Sequence, residues 1–325
     1  MALPDWARAH GPALFSADIR TEPADFDVTE HLGWALSGTG EHDYLRIEKT
    51  GANTEWVARQ LARHAGVPAK DVGYAGLKDR RAVTRQWFSV PRRNSPQWSS
   101  LEIDGVSILD RGRHDRKLRR GAHRANAFVI VLRGRGLGEY ATSLEARLDT
   151  VREQGVPNYF GEQRFGRDAT NLRLADQWAS GKKMPRHARS LAISTMRSFL
   201  FNTALDGRVR DGTWNKIVAG DVANLDGTRS VFDVADADEE IARRCARMDV
   251  HPAGELAGEG STGRPAEWID ALHRGRVRPG MRSLRMRVID PAVEISDTIV
   301  RLSFSLGRGS YATSVLREMV VANPK

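Results

Sequence analysis

The residues best suited to chemistry lie in DVGYAGLKDRRAVTRQWFSV, residues 71–90, where Asp79 stands between Lys78 and the pair Arg80–Arg81. The apolar runs Val72–Leu77 and Ala82–Val90 read as two strands of a hairpin, with the four charges at its tip. Cations on both sides favour the ionised form of a carboxylate, and an ionised carboxylate held at the end of rigid strands can serve as nucleophile or base. The competing reading is a solvated turn, where Lys, Asp and Arg are equally at home. A second constellation is RANAFVIVLRG, which places Asn126 and Phe128 two apart at the start of a strand and hence on one face. A ring beside an amide can stack a base and hydrogen-bond its edge, the usual way of reading single-stranded RNA. Taken singly, Phe128 reads as core, and so do Phe26 in PADFDVTE and Tyr311 in GRGSYATSVLRE.

The elements that must position these groups can be outlined. Residues 11–50 alternate apolar and polar, as in FDVTEHLG and HDYLRIEK, which predicts strands. NTEWVARQLARHAG (53–66) predicts a helix, with Asn53 as cap and Gly66 as stop. Strands follow near Val106–Leu109 and Phe128–Leu132, then a helix over 139–155. After GVPNYFGEQRFGRDATN (155–171) the character changes, and 170–273 reads as mainly helical. Strand alternation resumes over 284–306, and SYATSVLREMVV closes as a helix. Strands, a helical block and strands again describe an α+β domain split by an insertion, with boundaries near 155 and 285.

Composition narrows the setting. The 325 residues are 40% hydrophobic and 28% charged, enough for a packed core. No stretch approaches the ~18 consecutive apolar residues of a membrane span, and MALPDWARAHGPALF carries no export signal. The single cysteine, Cys245, precludes an internal disulfide and a cysteine-rich metal site, so a cytoplasmic protein is expected. The net charge of +9 is clustered: residues 111–124 hold seven Lys/Arg against one acid, and 273–287 hold six Arg and no acid. Arginine's planar fork suits phosphate, so nucleic acid is the expected partner, ahead of an anionic membrane.

Other motifs fail or stay open. GEGSTGRP (258–265) has P-loop glycine spacing but Arg264 and Pro265 where Lys and a hydroxyl are needed. The nine histidines form no His-Glu-x-x-His pair and no zinc-deaminase pattern. VIVLRGRGLGEYATSLEARL (129–148) runs a strand through Gly134, Gly136 and Gly138 into a helix, a turn that could hold S-adenosylmethionine. Arg133 stands where such sites usually carry an acid, and no ribose-binding acid follows on a clean second strand. An RNA methyltransferase built on Gly134–Gly138 and a non-catalytic RNA-binding protein are the alternative readings.

GYAGLKDRRAVTRQWF, NAF, VPNYFGEQRFG, RSFLFN (197–202) and GSYATSVLRE (309–318), in this order, resemble the motifs of the TruD family of tRNA pseudouridine synthases over almost the whole chain. The resemblance implies isomerisation of uridine to pseudouridine, typically uridine 13 of tRNA, with tRNA as partner and no cofactor or metal. It implies a pseudouridine synthase catalytic domain, 1–154 with 286–325, built on a mixed, largely antiparallel sheet with flanking helices. The inserted, mainly helical TRUD domain would span 155–285. By the same resemblance Asp79 is the essential aspartate, Phe128 stacks on the flipped base and Asn126 orients the nucleotide. Phe26 and Tyr311 would shape the pocket, with Arg20 and Lys78 supporting. Two positions depart from the pattern: Tyr311 where relatives often carry Phe, and Arg20 where they often carry Lys. The oligomeric state is left open, a monomer being slightly favoured.

Overall fold

The computed structural model describes residues 3–93 and 96–325. They form two compact units. One comprises 14–148, 288–309 and 320–325 and is built on a single large sheet. Its first seven strands are β1 (Phe15–Ile19), β2 (Phe26–His31), β3 (His42–Lys49), β4 (Gly73–Tyr74), β5 (Val83–Pro91), β6 (Val106–His114) and β7 (Ala125–Arg133). Three more, Val288–Ile295, Ile299–Gly307 and Val320–Pro324, come from the C-terminal part of the chain. Across the sheet the order is Val288–Ile295, Ile299–Gly307, β7, β2, β5, β3, β6. The neighbours are antiparallel except β2 with β5, and β1 with Val320–Pro324, which run parallel.

Helix α1 (Thr54–Ala65) forms where its spacing puts Val57, Ala58, Leu61 and Ala65 on one face, and it ends at Gly66 in the left-handed conformation. That face packs on Leu45, Ile47, Phe88 and Val90 of β3 and β5. The mixed, largely antiparallel sheet with flanking helices expected from the sequence is thus present. Helix α2 (Ala141–Gln154) begins in this unit, crosses its boundary at 148/149 and ends at Gly155, whose φ of 74° only glycine adopts readily.

The other unit holds residues up to 13, 149–287 and 310–319. Its helices are Thr170–Ala179, Arg186–Arg210, Glu239–Ala246, Ala266–Arg274 and Ala312–Arg317. It also contains a four-stranded sheet, ordered Val231–Asp233, Val222–Leu225, Val250–Leu256, Gly280–Ser283, which adds to the helical reading of this stretch. Those strands escaped the sequence because VFD and VANL are too short for a period and VHPAGEL is broken by Pro and Gly.

The two compact units divide at 148/149 and 287/288, whereas the sequence-based expectation is domain boundaries at 154/155 and 285/286. Two segments that the sequence placed in the catalytic domain belong to this second unit: the start of the chain and 310–319. The reason is a set of local ties. Arg317 Nη2 donates to the Trp6 carbonyl at 2.6 Å, Glu318 Oε2 accepts from the Ala9 amide at 2.8 Å, and Ser314 Oγ donates to the Tyr159 carbonyl at 2.8 Å.

Candidate active site

β4 and β5 pair antiparallel, Gly73 opposite Ser89 and Tyr74 opposite Phe88, and the loop between them carries Lys78, Asp79, Arg80 and Arg81. The hairpin expected from the sequence is present, with a shorter first strand and a longer tip. Gly73 has no side-chain alternative, because a Cβ there would meet the Leu118 carbonyl oxygen. The segment 49–54 braces the tip. The Gly51 amide donates to the Arg80 carbonyl at 3.1 Å, and Arg80 Nε donates to the Gly51 carbonyl at 2.8 Å. The Lys78 amide donates to Thr54 Oγ1 at 2.9 Å.

Asp79 is held at both oxygens. Oδ1 accepts from the Arg81 amide at 3.1 Å, and Oδ2 pairs with Arg20 Nη2 at 2.9 Å. The Asp79 side chain is 34% exposed, so an incoming group can reach it. Arg20 adopts φ of 61°, a left-handed conformation that a side chain makes unfavourable by roughly 1–2 kcal/mol. In it the guanidinium lies 4.4 Å from the centre of the Phe26 ring. The Arg20 departure therefore has a physical role: the planar fork spans aromatic face and carboxylate at once, which a lysine ammonium does less well.

Beneath the loop sits a buried ion pair. Lys78 Nζ donates to Glu30 Oε2 at 2.7 Å, with the two side chains 6% and 0% exposed. Glu30 Oε1 also accepts from the Trp87 amide at 3.2 Å. A further lysine, Lys49, is fully buried and donates to the carbonyls of Ala52 at 2.8 Å and Asp79 at 2.9 Å. Burial pushes its ammonium down to about 8, opposed by the charge of Asp79 and assisted by Lys78. The unfolded chain keeps this proton to about 10.4. Between the two values the unfolded state binds more protons, so folding stability rises with pH there, and the full penalty of the buried charge is present below pH 8. Lys49→Met should remove that term. The wild type should therefore gain about 3 kcal/mol on the variant between pH 7 and pH 10.5, read from urea midpoints. A pH-independent difference would show that burial does not shift the titration of Lys49 away from that of the unfolded chain.

Asn126 and Phe128 share the face of β7, as their spacing required. Phe128 is 8% exposed, stacked on Phe304 with ring centres 5.5 Å apart, and meets Phe26 edge-on at 6.2 Å. Asn126 lies opposite Glu30 across β2 and β7, and its Nδ2 donates to His123 Nε2 at 3.2 Å. Burial holds the His123 imidazole below its usual range. Asn126 Oδ1 and His123 Nδ1 are buried without a hydrogen-bond partner. The structure thus brings Arg20, Phe26, Lys78, Asp79, Asn126 and Phe128 into one unit, on the turn after β1, on β2 and β7, and on the β4–β5 loop.

Tyr311 belongs to the other unit. Its hydroxyl accepts from Arg164 Nη2 at 2.6 Å, and its ring lies 6.0 Å from that of Phe160. The extra hydroxyl at this position has a protein partner. Arg282 stacks on Phe160 at 4.1 Å and hydrogen-bonds the Asn158 side chain. The motif PNYFGEQRFG is therefore an ordered turn held by arginines.

The glycine turn at 134–138 is closed. A Cβ on Gly134 would meet the Leu137 side chain, Gly138 lies against the Asp297 backbone, and Arg133 is engaged by the buried Asp25 at 2.7 Å. Such packing leaves no cradle of the kind a nucleotide needs. Among the described residues no cluster of three His, Cys, Asp or Glu could hold a metal, and no helix is long and apolar enough to cross a membrane.

Sequence reasoning missed Glu30, Lys49 and His123. The signal for the first two was present: in FDVTEH and HDYLRIEK the alternation that buries Phe26, Val28, Leu45 and Ile47 also buries Glu30 and Lys49. A charge at an inward position of a strand is unfavourable unless it has a partner.

Comparison with known proteins identifies the family. The model of the family described as tRNA pseudouridine synthase D (TruD) matches residues 14–175 and 172–273. A tRNA pseudouridine synthase D of Methylococcus capsulatus is 44% identical over 340 aligned positions, covering 99% of this chain and 96% of the relative. One from Hydrogenovibrio crunogenus is 39% identical, covering 98% of this chain and 97% of its own length. A solved structure from Methanosarcina mazei, described as a tRNA pseudouridine synthase D, superposes with a TM-score of 0.72 over 98% of this chain and 95% of its own, at 20% identity. That last likeness concerns the fold.

Proposed function

This chain belongs to the TruD family of tRNA pseudouridine synthases, isomerases by their reaction, and from that premise we propose that it converts uridine 13 of tRNA to pseudouridine with Asp79 as the essential group. The observation that carries the reading is Asp79 itself. It is a carboxylate still open to solvent, aimed by Arg20 and the Arg81 amide, on a loop that Lys49, Gly51, Thr54 and the Lys78–Glu30 pair fix in place.

The reaction is an isomerisation. The bond from uracil N1 to ribose C1′ breaks, the base turns, C5 bonds to C1′, and the C5 proton is lost to solvent while N1 gains one. Atoms balance without a co-reactant. The Asp79 carboxylate adds to the ribose or base, or removes a ribose proton; either role requires a carboxylate held still and reachable. The target base must first leave its stack, at about a few kcal/mol. Phe128 and Phe26 offer the aromatic surface that receives it. Asn126 retains an unused acceptor, Oδ1, that suits the N3–H of uracil. Lys78 supports the site from below through Glu30, and Arg20 from beside.

Mapping pseudouridine by mass spectrometry in unmodified tRNA transcripts tests this. Product should appear at position 13 with purified protein alone, and vanish when uridine 13 is replaced by cytidine. Product at another position only, or none in transcripts that the protein binds, would refute the assignment.

A further inference from the structure

The unit that contains 149–287 has a cavity of about 480 Å³ that the reaction above does not use. It lies where the end of helix Thr170–Ala179, the start of helix Arg186–Arg210 and the end of helix Ala266–Arg274 meet. Its volume is within the roughly 300–1,000 Å³ of ligand sites. Lys182, Lys183, Arg189 and Arg274 line it together with Trp178, and no Asp or Glu does. Four cations converging without an acid repel one another, and a polyanion relieves that repulsion.

The cavity is built. Arg274 is anchored through Nη2 to the Ala179 carbonyl at 2.7 Å, and Lys182 Nζ reaches Gln177 Oε1 at 3.5 Å. The Arg189 guanidinium lies 5.7 Å from the Trp178 ring centre. The indole is seated against Gly275, where a Cβ would come within 2.9 Å of its ring atoms. A glycine there lets the backbone approach, and the half-buried indole stays positioned as a platform. A second cavity, beside β3 and β6, differs in kind. It contains Glu41 and Asp71, and its Arg93 is paired with Asp71 at 3.5 Å, so part of its positive charge is already answered.

We propose that the Trp178 pocket binds an unpaired nucleotide of the substrate tRNA, the base stacked on Trp178 and the adjoining phosphates held by Lys182, Lys183, Arg189 and Arg274. This rests on tRNA being the substrate. Aromatic platforms combined with a cationic groove are the general means of holding single-stranded nucleic acid.

The test uses the full chain, with Trp178→Ala, Trp178→Phe and the double change Lys182→Gln/Lys183→Gln. The lysines are exposed, so their replacement leaves the fold intact even if the indole change does not. Trp178→Ala should weaken tRNA binding and raise KM by roughly tenfold or more, while kcat changes little. Trp178→Phe should recover most of the loss. The double lysine variant should lower the salt slope of tRNA binding by about 1–2. Unchanged affinity in Trp178→Ala together with an unchanged salt slope in the lysine variant would overturn the proposal. So would UMP or AMP binding that Trp178→Ala abolishes while tRNA affinity is kept, which would make the pocket a free-nucleotide site. Failure of the wild type to form pseudouridine refutes the reaction and is read separately, since the binding arms need no turnover.

Discussion

Replacing Asp79 by Asn should lower pseudouridine formation on the order of 10⁴-fold or more while tRNA binding stays within about threefold. Asn keeps the size of the side chain and can still accept from the Arg81 amide, which now meets Asp79 Oδ1 at 3.1 Å. It loses the charge that pairs with Arg20 and the nucleophilic or basic carboxylate oxygen. With the two side chains 27% and 34% exposed, that ion pair contributes at most about 1 kcal/mol to folding, so the variant should fold normally. Tritium release from tRNA labelled at uridine C5 reports the chemical step, because that hydrogen leaves only when C5 is joined to the ribose. Filter binding reports the complex. Parallel losses in both assays would make Asp79 a structural residue and send the search for the catalytic group elsewhere.

The second large effect concerns stability. Lys78→Met should destabilise the unit containing β1–β7 by about 3–5 kcal/mol, because it leaves the Glu30 carboxylate, fully buried, without its cation. Among the described residues Glu30 would retain only the Trp87 amide as a side-chain hydrogen-bond partner. Changing both residues, Glu30→Leu with Lys78→Met, should return much of that loss, since the uncompensated charge is then gone. Activity should not return with it, because the ion pair also fixes the backbone next to Asp79. Denaturant midpoints of the two single variants and the double measure the coupling. Additive losses would show that the pair does not act as a unit.

The same pair explains why the site was only partly legible beforehand. Asp79, Asn126 and Phe128 could be read because local order alone places them: a hairpin tip and one face of a strand. The motif order then gave each a family role. Glu30 and Lys49 could be suspected from alternation, but their partners come from elsewhere in the chain. Lys78 reaches Glu30 across 48 positions, and Lys49 reaches the Asp79 carbonyl across 30. No period in a sequence encodes which buried charge meets which acceptor.

Val320–Pro324 is a strand that starts inside the stretch expected to close as a helix, but helix α1 with its glycine stop, the other strands of the main sheet and the family were legible from the amino acids alone. These rest on periodicity, caps and ordered motifs, all short-range. That residues up to 13 and 310–319 join the unit containing 149–287, and that Tyr311 meets Arg164, became visible only in the folded chain. The tertiary structure also decided that Arg20 turns left-handed to lie between Phe26 and Asp79. Those outcomes depend on side-chain hydrogen bonds and ring contacts between segments far apart in the chain. Their energies exist only once the backbone has closed around them.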